Sequence, residues 1–382
     1  MSTEKLYYEN SYLADFSGVV TGCAQEKGRF AITLDRTAFY PEGGGQPCDI
    51  GYILVGENRV DIVEVREKQG EIYHYSDSPV PVGSAILGFI DFDRRFDLMQ
   101  QHTGEHILSG LVKQEYGFDN VGFHLTPKDM SVDFSGALTP RDIEGLMEKA
   151  NAIVLKNQSV TAEFPKNVET LSYRSKKELS GAIRIVTAGT ADICACCGTH
   201  TATTGEVTCI AALDSMSYKG GTRIFMACGK RAFKDYMEKN QRCYGISHLL
   251  SSKVEEIVPA VEGKMAEVER LKQELYAMKN QLFSLWIKDI PSGKLGYFET
   301  EGLTPGELQK LAQLINEKCS IACAVARQGD GSRKVCIIST EFDTNVLGRS
   351  VCEALSGKGG GKLGIFQCTV VKEGSIENIV NI

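Results

Sequence analysis

The chain predicts a mixed α+β fold, on three observations. Up to about residue 93 it reads as short β-rich runs broken by glycine and acidic turns. From 91 onward, stretches of helical period alternate with further β runs. Between 254 and 285, apolar residues return every seven positions. At 382 residues the chain exceeds what one core usually supports. Four parts are expected: a small β-barrel-like subdomain over 1–92, an α+β domain with an antiparallel sheet over 93–245, a long coiled-coil helix over 246–290, and an α/β module over 291–382.

The elements follow in order. Runs at 30–34, 60–65 and 85–92 are rich in β-branched and aromatic residues and predict strands of a partly closed β-domain. Between 91 and 110 the period lengthens, and Phe96, Met99, Ile107, Leu108 and Leu111 fall on one helical face. A second amphipathic helix is expected over 140–157, opened by Thr139 or Pro140 and carrying Ile143, Leu146, Met147, Ala150 and Ile153. Strands are expected at 160–164, 182–186, 207–213 and 223–227, with the small, turn-prone segment 187–192 leading toward Cys196. An antiparallel sheet with helices on one side is the natural layering.

Over 254–285, Val254, Val261, Val268, Leu275 and Leu282 form one seam, and Ile257, Leu271, Met278 and Leu285 fill the other, with Lys264 the polar intruder. Pro259 is tolerated only near a helix start. The pattern suits either a homodimer through 254–285 or a long helix packed on its own domain. After Pro291 a helix over 307–318 capped by Thr304, strands at 321–326 and 335–339, and a helix over 344–355 suggest a βαβ-type module. It ends in a glycine-rich turn over 356–362. There Gly359, Gly360 and Gly361 allow close approach, and Lys358 and Lys362 supply positive charge suited to a phosphate backbone; a flexible loop is the rival explanation.

The formal net charge of −7 excludes a global nucleic-acid footprint, so any RNA must meet local basic patches. The best one runs from 219 to 234, with Lys219, Arg223, Lys230, Arg231 and Lys234 and no acid among them; a solvated surface is the rival explanation. Thirteen scattered cysteines, without an N-terminal apolar region, read as reduced thiols in a cytoplasmic protein. No run of about eighteen apolar residues is present, so no membrane partner is expected.

The strongest chemical signal is H-T-G-E-H at 102–106, answered by C-C-G-T-H at 196–200. His102 and His106 stand four apart on a predicted helix, and Cys196 and His200 repeat that spacing. One such pair is weak evidence, but three of the chain's six histidines fall at these positions. Imidazole and thiolate donors suit Zn²⁺, and hydrolytic chemistry is expected. H-T-G-E-H also matches H-x-x-E-H, the zinc-peptidase motif in which Glu105 would be the general base. That alternative expects a glutamate as third ligand and leaves Cys196 and His200 without a role. A third reading is an RNA-binding protein whose zinc is structural.

L-D-R-T-A-F-Y-P-E-G-G-G-Q at 34–46, Q-Q-H-T-G-E-H-I-L-S at 100–109, G-F-H-L at 122–125, S-V-D-F-S at 131–135, C-C-G-T-H at 196–200 and G-T-R-I-F at 221–225 occur in the order found in alanyl-tRNA synthetase editing domains. The chain resembles that family and its free-standing, long-form AlaX proteins. The resemblance covers nearly the whole chain, including a C-terminal module similar to the DHH-associated type. It implies trans-editing, with no aminoacylation domain ahead of residue 1: hydrolysis of mischarged tRNA(Ala), mainly seryl-tRNA(Ala), with glycyl-tRNA(Ala) the second candidate. It further implies His102, His106, Cys196 and His200 as zinc ligands, and Thr37 and Gln46 as polar partners for the serine hydroxyl, which an apolar pocket discriminates poorly; for Thr37 a plain β-strand residue is the rival reading. Gly43, Gly44 and Gly45 would bring the backbone against the terminal adenosine or ester, although a tight hairpin would also explain them. Two departures stand out: Cys197 replaces the glycine of the usual C-G-G-T-H, and Cys194 adds another thiol that could compete for the metal. G-K-G-G-G-K-L-G-I-F-Q is also a looser match to the family's glycine-rich loop.

Overall fold

The computed structural model describes residues 3–175, 182–362 and 364–381. The chain divides into two compact units, 1–245 and 246–382.

The main sheet of the first unit has seven strands: β1 Asp15–Glu26, β2 Arg29–Leu34, β3 Gly51–Val55, β4 Asn58–Ile62, β5 Glu64–Lys68, β6 Glu71–Ser76 and β7 Ala85–Ile90. They pair antiparallel in the order β4-β3-β7-β1-β2-β6-β5. The edges β4 and β5 are consecutive in the chain with Val63 alone between them, so the sheet has to curl. No ladder among the described residues closes it into a barrel; Val63 N–H donates to Tyr75 O at 3.0 Å and nothing more is paired there. The long strand β1 makes the curl, pairing with β7 through its first half and with β2 through its second, with a register shift between Val20 and Gly22. The run expected at 60–65 is therefore two strands, split at Val63 where the chain changes partner. Phe39, Ile32, Ile53, Ile62, Val65 and Ile72 fill the concave side.

Helix α1, Phe92–Tyr116, starts at Asp91, whose side chain accepts from the Arg94 amide at 3.1 Å. It runs past 110 because no breaker appears until Gly117, which ends it at φ 72°. Its apolar face, with Leu98, Ile107, Leu108, Leu111 and Val112, packs against Val132, Phe134, Ile143 and Leu146 in a second core. Arg95, fully buried, anchors α1 to the curled sheet: it pairs with Asp49 and donates to Ser11 O at 2.8 Å and Ala38 O at 2.6 Å.

Strands β8 Asn120–Leu125 and β9 Met130–Phe134 follow, then helix α2 Pro140–Leu155, opened at Thr139 through a capping box with Asp142 that the structure adds. Next come β10 Val160–Glu163, β11 Ile185–Ala188, β12 Asp192–Ala195, β13 Ile210–Tyr218 and β14 Gly221–Cys228. They form an antiparallel four-stranded sheet, β8-β9-β14-β13, and a three-stranded one, β10-β11-β12. Helix α3, Gly229–Leu250, is not anticipated by the sequence reading, because only Gly229 and Ala232 are buried on it and its charges read as a basic patch.

In the second unit, α4 Ile257–Trp286 carries Pro259 in its first turn. Phe283 is its only buried residue, and the seam residues Val261, Val268, Leu275 and Leu282 are exposed. Strand β15 Gly293–Glu301, helix α5 Pro305–Asn316 and strand β16 Cys319–Arg327 make a parallel βαβ unit, extended antiparallel by β17 Arg333–Ser339; helix α6 Thr344–Ala354 follows. Residues 358–362 differ from the expected glycine-rich turn. They form an edge strand, β18 Lys358–Lys362, paired with β19 Ile365–Val370. Cβ atoms at Gly359 and Gly361 would collide with the Gln367 and Ile365 carbonyl oxygens, so the glycines serve strand pairing. Leu363 of that motif lies outside the described residues. No described helix is long and apolar enough to cross a membrane.

Candidate metal centre

Four donors converge inside the first unit. His102 and His106 come from the middle of α1, and Cys196 and His200 from the loop after β12. One donor atom from each lies within 4.8 Å of every other. Cys196 Sγ is 3.4 Å from His102 Nε2 and 3.4 Å from His200 Nε2. In a tetrahedral zinc site the sulfur-to-nitrogen edge is about 3.5 Å, given the usual bond lengths. The donor chemistry and the spacing both fit Zn²⁺.

Each imidazole is oriented by a partner on its other nitrogen. Thr199 N–H donates to Gln46 Oε1 at 3.1 Å, and Gln46 Nε2 donates to Thr199 Oγ1 at 2.8 Å. A backbone amide can only donate, so the Gln46 oxygen is fixed in place. His102 Nδ1, 2.9 Å from that oxygen, must carry the proton, which leaves the Nε2 lone pair facing Cys196. His106 Nδ1 is 2.9 Å from Asp192 Oδ2, and Asp192 is gripped by Arg174 at 2.7 and 2.6 Å. His200 Nδ1 is 3.3 Å from Thr103 Oγ1, which also accepts the Thr201 amide at 3.1 Å. Glycine makes the close approaches possible. A Cβ at Gly110 would strike the Ala191 carbonyl beside Asp192, and one at Gly198 would strike the His102 ring.

Electrostatics at the donors pull in two directions: burial lowers His106, but Asp192 and Cys196 outweigh it and raise the group well above the ordinary imidazole range, so this ring has to give up a proton to bind a metal. Burial pushes the Cys196 thiol up, but the His102 and His106 imidazoles outweigh it and hold the group well below the ordinary thiol range. Burial pulls His200 down to about 3, so this imidazole is neutral and its lone pair available.

Three of the donors, His102, His106 and Cys196, line a cavity of about 440 Å³. Its wall includes Gly44, Gly45, Phe123, Ser175, Arg184 and Cys194, with His102, His106, Cys196 and Cys197. Of the expected substrate contacts, Gly44 and Gly45 reach this wall; Gly43 borders a neighbouring cavity beside Pro47 and His124. Thr37 does not reach the metal-side cavity. It is fully buried on a short strand, Arg36–Thr37, that pairs parallel with Glu4–Lys5; there it donates to His74 Nε2 at 2.8 Å and accepts the Phe39 amide at 3.1 Å. Gln46 is likewise enclosed, its amide spent on His102 and Thr199, so it positions a ligand and does not touch the metal-side cavity.

Cys194 groups with His106 and Asp192, apart from the four-donor set, and Cys197 belongs to neither group. Glu105, fully buried, accepts from Ser109 at 2.6 Å and from Asn120, has Oε2 3.9 Å from His106 Nε2, and is absent from the cavity wall. The basic stretch is also reshaped by tertiary contacts. Arg223 is forked onto Asp133 at 2.6 and 2.7 Å, and Arg231 onto Asp97 at 2.9 and 2.7 Å. Lys219, Lys230, Lys234, Lys358 and Lys362 carry the remaining expected RNA charge; Lys234 is 4.0 Å from Glu238. Asp192, Arg174 and Thr103 went unnoticed in the sequence. Asp192, four residues before Cys196, and Thr103, next to His102, carried a local signal; Arg174 carried none.

Two family models match: tRNA synthetases class II (A) over residues 4–94, and the threonyl and alanyl tRNA synthetase second additional domain over 183–225. The chain is 31% identical over 293 residues to the alanyl-tRNA editing protein AlaX-L of Pyrococcus horikoshii, covering 73% of this chain and 72% of that one. It is 32% identical over 380 residues to the alanine–tRNA ligase of Methanoregula boonei, covering 94% of this chain and 41% of the ligase. A similar alignment with the ligase of Ignicoccus hospitalis is 28% identical over 94% of this chain and 40% of that one. The chain thus spans about two fifths of the ligases it matches. A solved C-Ala domain from Aquifex aeolicus alanyl-tRNA synthetase overlaps 24% of this chain and 89% of that one, at 20% identity and TM-score 0.21.

Proposed function

The chain belongs to the family of the alanyl-tRNA editing protein AlaX-L, and from that premise we propose that it hydrolyses the ester of mischarged tRNA(Ala), with seryl-tRNA(Ala) the main substrate and glycyl-tRNA(Ala) the second. The observation that carries the reading is the convergence of His102, His106, Cys196 and His200, the first three of which line a cavity that Gly44 and Gly45 also line. We assign Zn²⁺ to those four residues. Four protein donors fill a tetrahedral sphere, so when bound it would either anchor the substrate and order the pocket with a fixed positive charge beside the ester, or, with one donor released, supply a Lewis acid.

The chain's own groups do the rest. Gln46, Asp192 and Thr103 hold the imidazoles in register. Phe123, which approaches the His102 ring at 5.1 Å, walls the cavity on one side and limits water. Gly44 and Gly45 bring backbone against the substrate with no side chain in the way, the same role assigned to them from the resemblance. Lys219, Lys230 and Lys234 are the candidate acceptor-stem contacts, and Lys358 and Lys362 those of the edge strand β18. The exposed seam of α4 keeps a homodimer through 254–285 a reading of the same kind, and a cytoplasmic location follows from the substrate.

The test is deacylation of seryl-, glycyl- and alanyl-tRNA(Ala) by the purified chain, with and without chelator. Preferential hydrolysis of the seryl or glycyl ester, lost on chelation, is expected. Preferential attack on the alanyl ester, or none at all, would overturn the reading.

A further inference from the structure

Arg184 has no part in the arrangement described so far. It stands one residue before β11, lines the cavity and is 5% exposed. Its Nη1 donates to the carbonyl oxygens of Cys196 at 3.1 Å and Gly198 at 2.8 Å, and the Tyr8 ring lies 5.0 Å from its Cζ. Those partners are neutral. Its Nε has no hydrogen-bond partner, and among the described residues no carboxylate lies within ion-pair distance of it. The contrast within this unit is sharp: Arg95, Arg174, Arg223 and Arg231 are each neutralised by an aspartate. A guanidinium withdrawn from water without a counter-charge is costly. Carbonyl dipoles and an aromatic face offset only part of that cost, so an anion brought by a ligand completes the pairing.

The geometry points to Arg184 as the anion-recognition group of this cavity, pairing with an anionic oxygen of the ligand. This rests on the editing reading for the identity of that ligand. The aminoacyl ester itself has no negative charge. Two anionic oxygens remain: the phosphate on the 5′ side of the terminal adenosine, and the carboxylate of the amino acid once released. Because Nη1 also holds the loop that carries Cys196, the anion would dock against the same segment that supplies a metal donor.

The test uses the full chain loaded with zinc, as wild type, Arg184→Lys and Arg184→Gln, with metal content measured first. The probes are free serine and a non-hydrolysable seryl amide of 3′-amino-3′-deoxyadenosine, with and without a 5′-phosphate, each titrated by calorimetry. If phosphate is the anion, wild type binds the phosphorylated analogue roughly tenfold tighter than the bare one, Arg184→Gln abolishes that preference and Arg184→Lys keeps part of it. If the product carboxylate is the anion, the two analogues bind alike and Arg184→Gln weakens serine roughly tenfold. The inference is overturned if wild type binds none of the probes, or if Arg184→Gln binds every probe as wild type does or weakens all of them equally. Should Arg184→Gln lose its metal, Arg184→Lys decides by the same comparison. Since binding is read without turnover, an inactive wild type that still shows the Arg184-dependent preference would defeat the editing reading and leave this one standing.

Discussion

Gln46 and His102, 56 positions apart in the chain, meet in the interior with Gln46 Oε1 2.9 Å from His102 Nδ1. The contact sets which ring nitrogen bears the proton and so which one faces Cys196. Replacing Gln46 by Ala should weaken zinc binding by roughly 10- to 100-fold, the usual cost of losing a partner of a metal-bound histidine. Competition against a chromophoric chelator measures it; an unchanged affinity would remove Gln46 from the site.

Cys196 and Cys197 are adjacent yet unequal. Only Cys196 belongs to the four-donor set, while Cys197 is exposed on the cavity wall. Cys196→Ala should abolish stoichiometric zinc, whereas Cys197→Gly should retain it. Metal analysis of both variants checks the pair, and zinc loss from Cys197→Gly would mean that the neighbouring thiol is the ligand.

Arg95 and Asp49 are both fully buried and paired. Arg95→Met leaves the Asp49 carboxylate uncompensated, with an expected loss of about 3–5 kcal/mol in denaturant unfolding. Adding Asp49→Leu should recover part of that loss. A near-neutral single variant would show that the pair does not anchor α1.

His74 supplies a pH signature far from the metal donors. It is fully buried, its Nδ1 3.1 Å from Ile32 O, and burial pulls it down from 6.5 to about 4. A folded pKa below the unfolded one means that the neutral ring stabilises the fold above about 6.5, and that this contribution fades as pH falls toward 4. The amount is on the order of 3 kcal/mol. The unfolding free-energy difference between wild type and His74→Gln, measured from pH 7.5 to pH 4.5, should shrink by a comparable amount. A difference independent of pH would refute the assignment.

Much of this molecule was legible as a string because the signals were local. The capping residue Thr139, the helical period after 91 and the two four-residue spacings of donors are written in neighbouring residues, and the helices and donors are found there. Elements whose reason is non-local were missed or misdrawn. The helix Gly229–Leu250 buries two residues and so shows no clear apolar stripe. The run at 60–65 breaks at Val63 only because the curled sheet demands a change of partner there. The glycines at 359–361 read as a turn, although the neighbouring strand Ile365–Val370 makes them an edge.

The candidate site divides along the same line. The order of residues determined which donors exist and what metal chemistry they suit, since ligand type belongs to the side chain alone. Only the folded chain decided what each neighbour does. It gave Thr37 to His74, Gln46 to His102 and Asp192 to His106, forked Arg223 and Arg231 onto aspartates, and left Arg184 without one among the described residues. The reason is physical: a buried polar group must find a partner within about 3 Å, and that partner comes from whichever segment packing brings alongside, however distant in sequence.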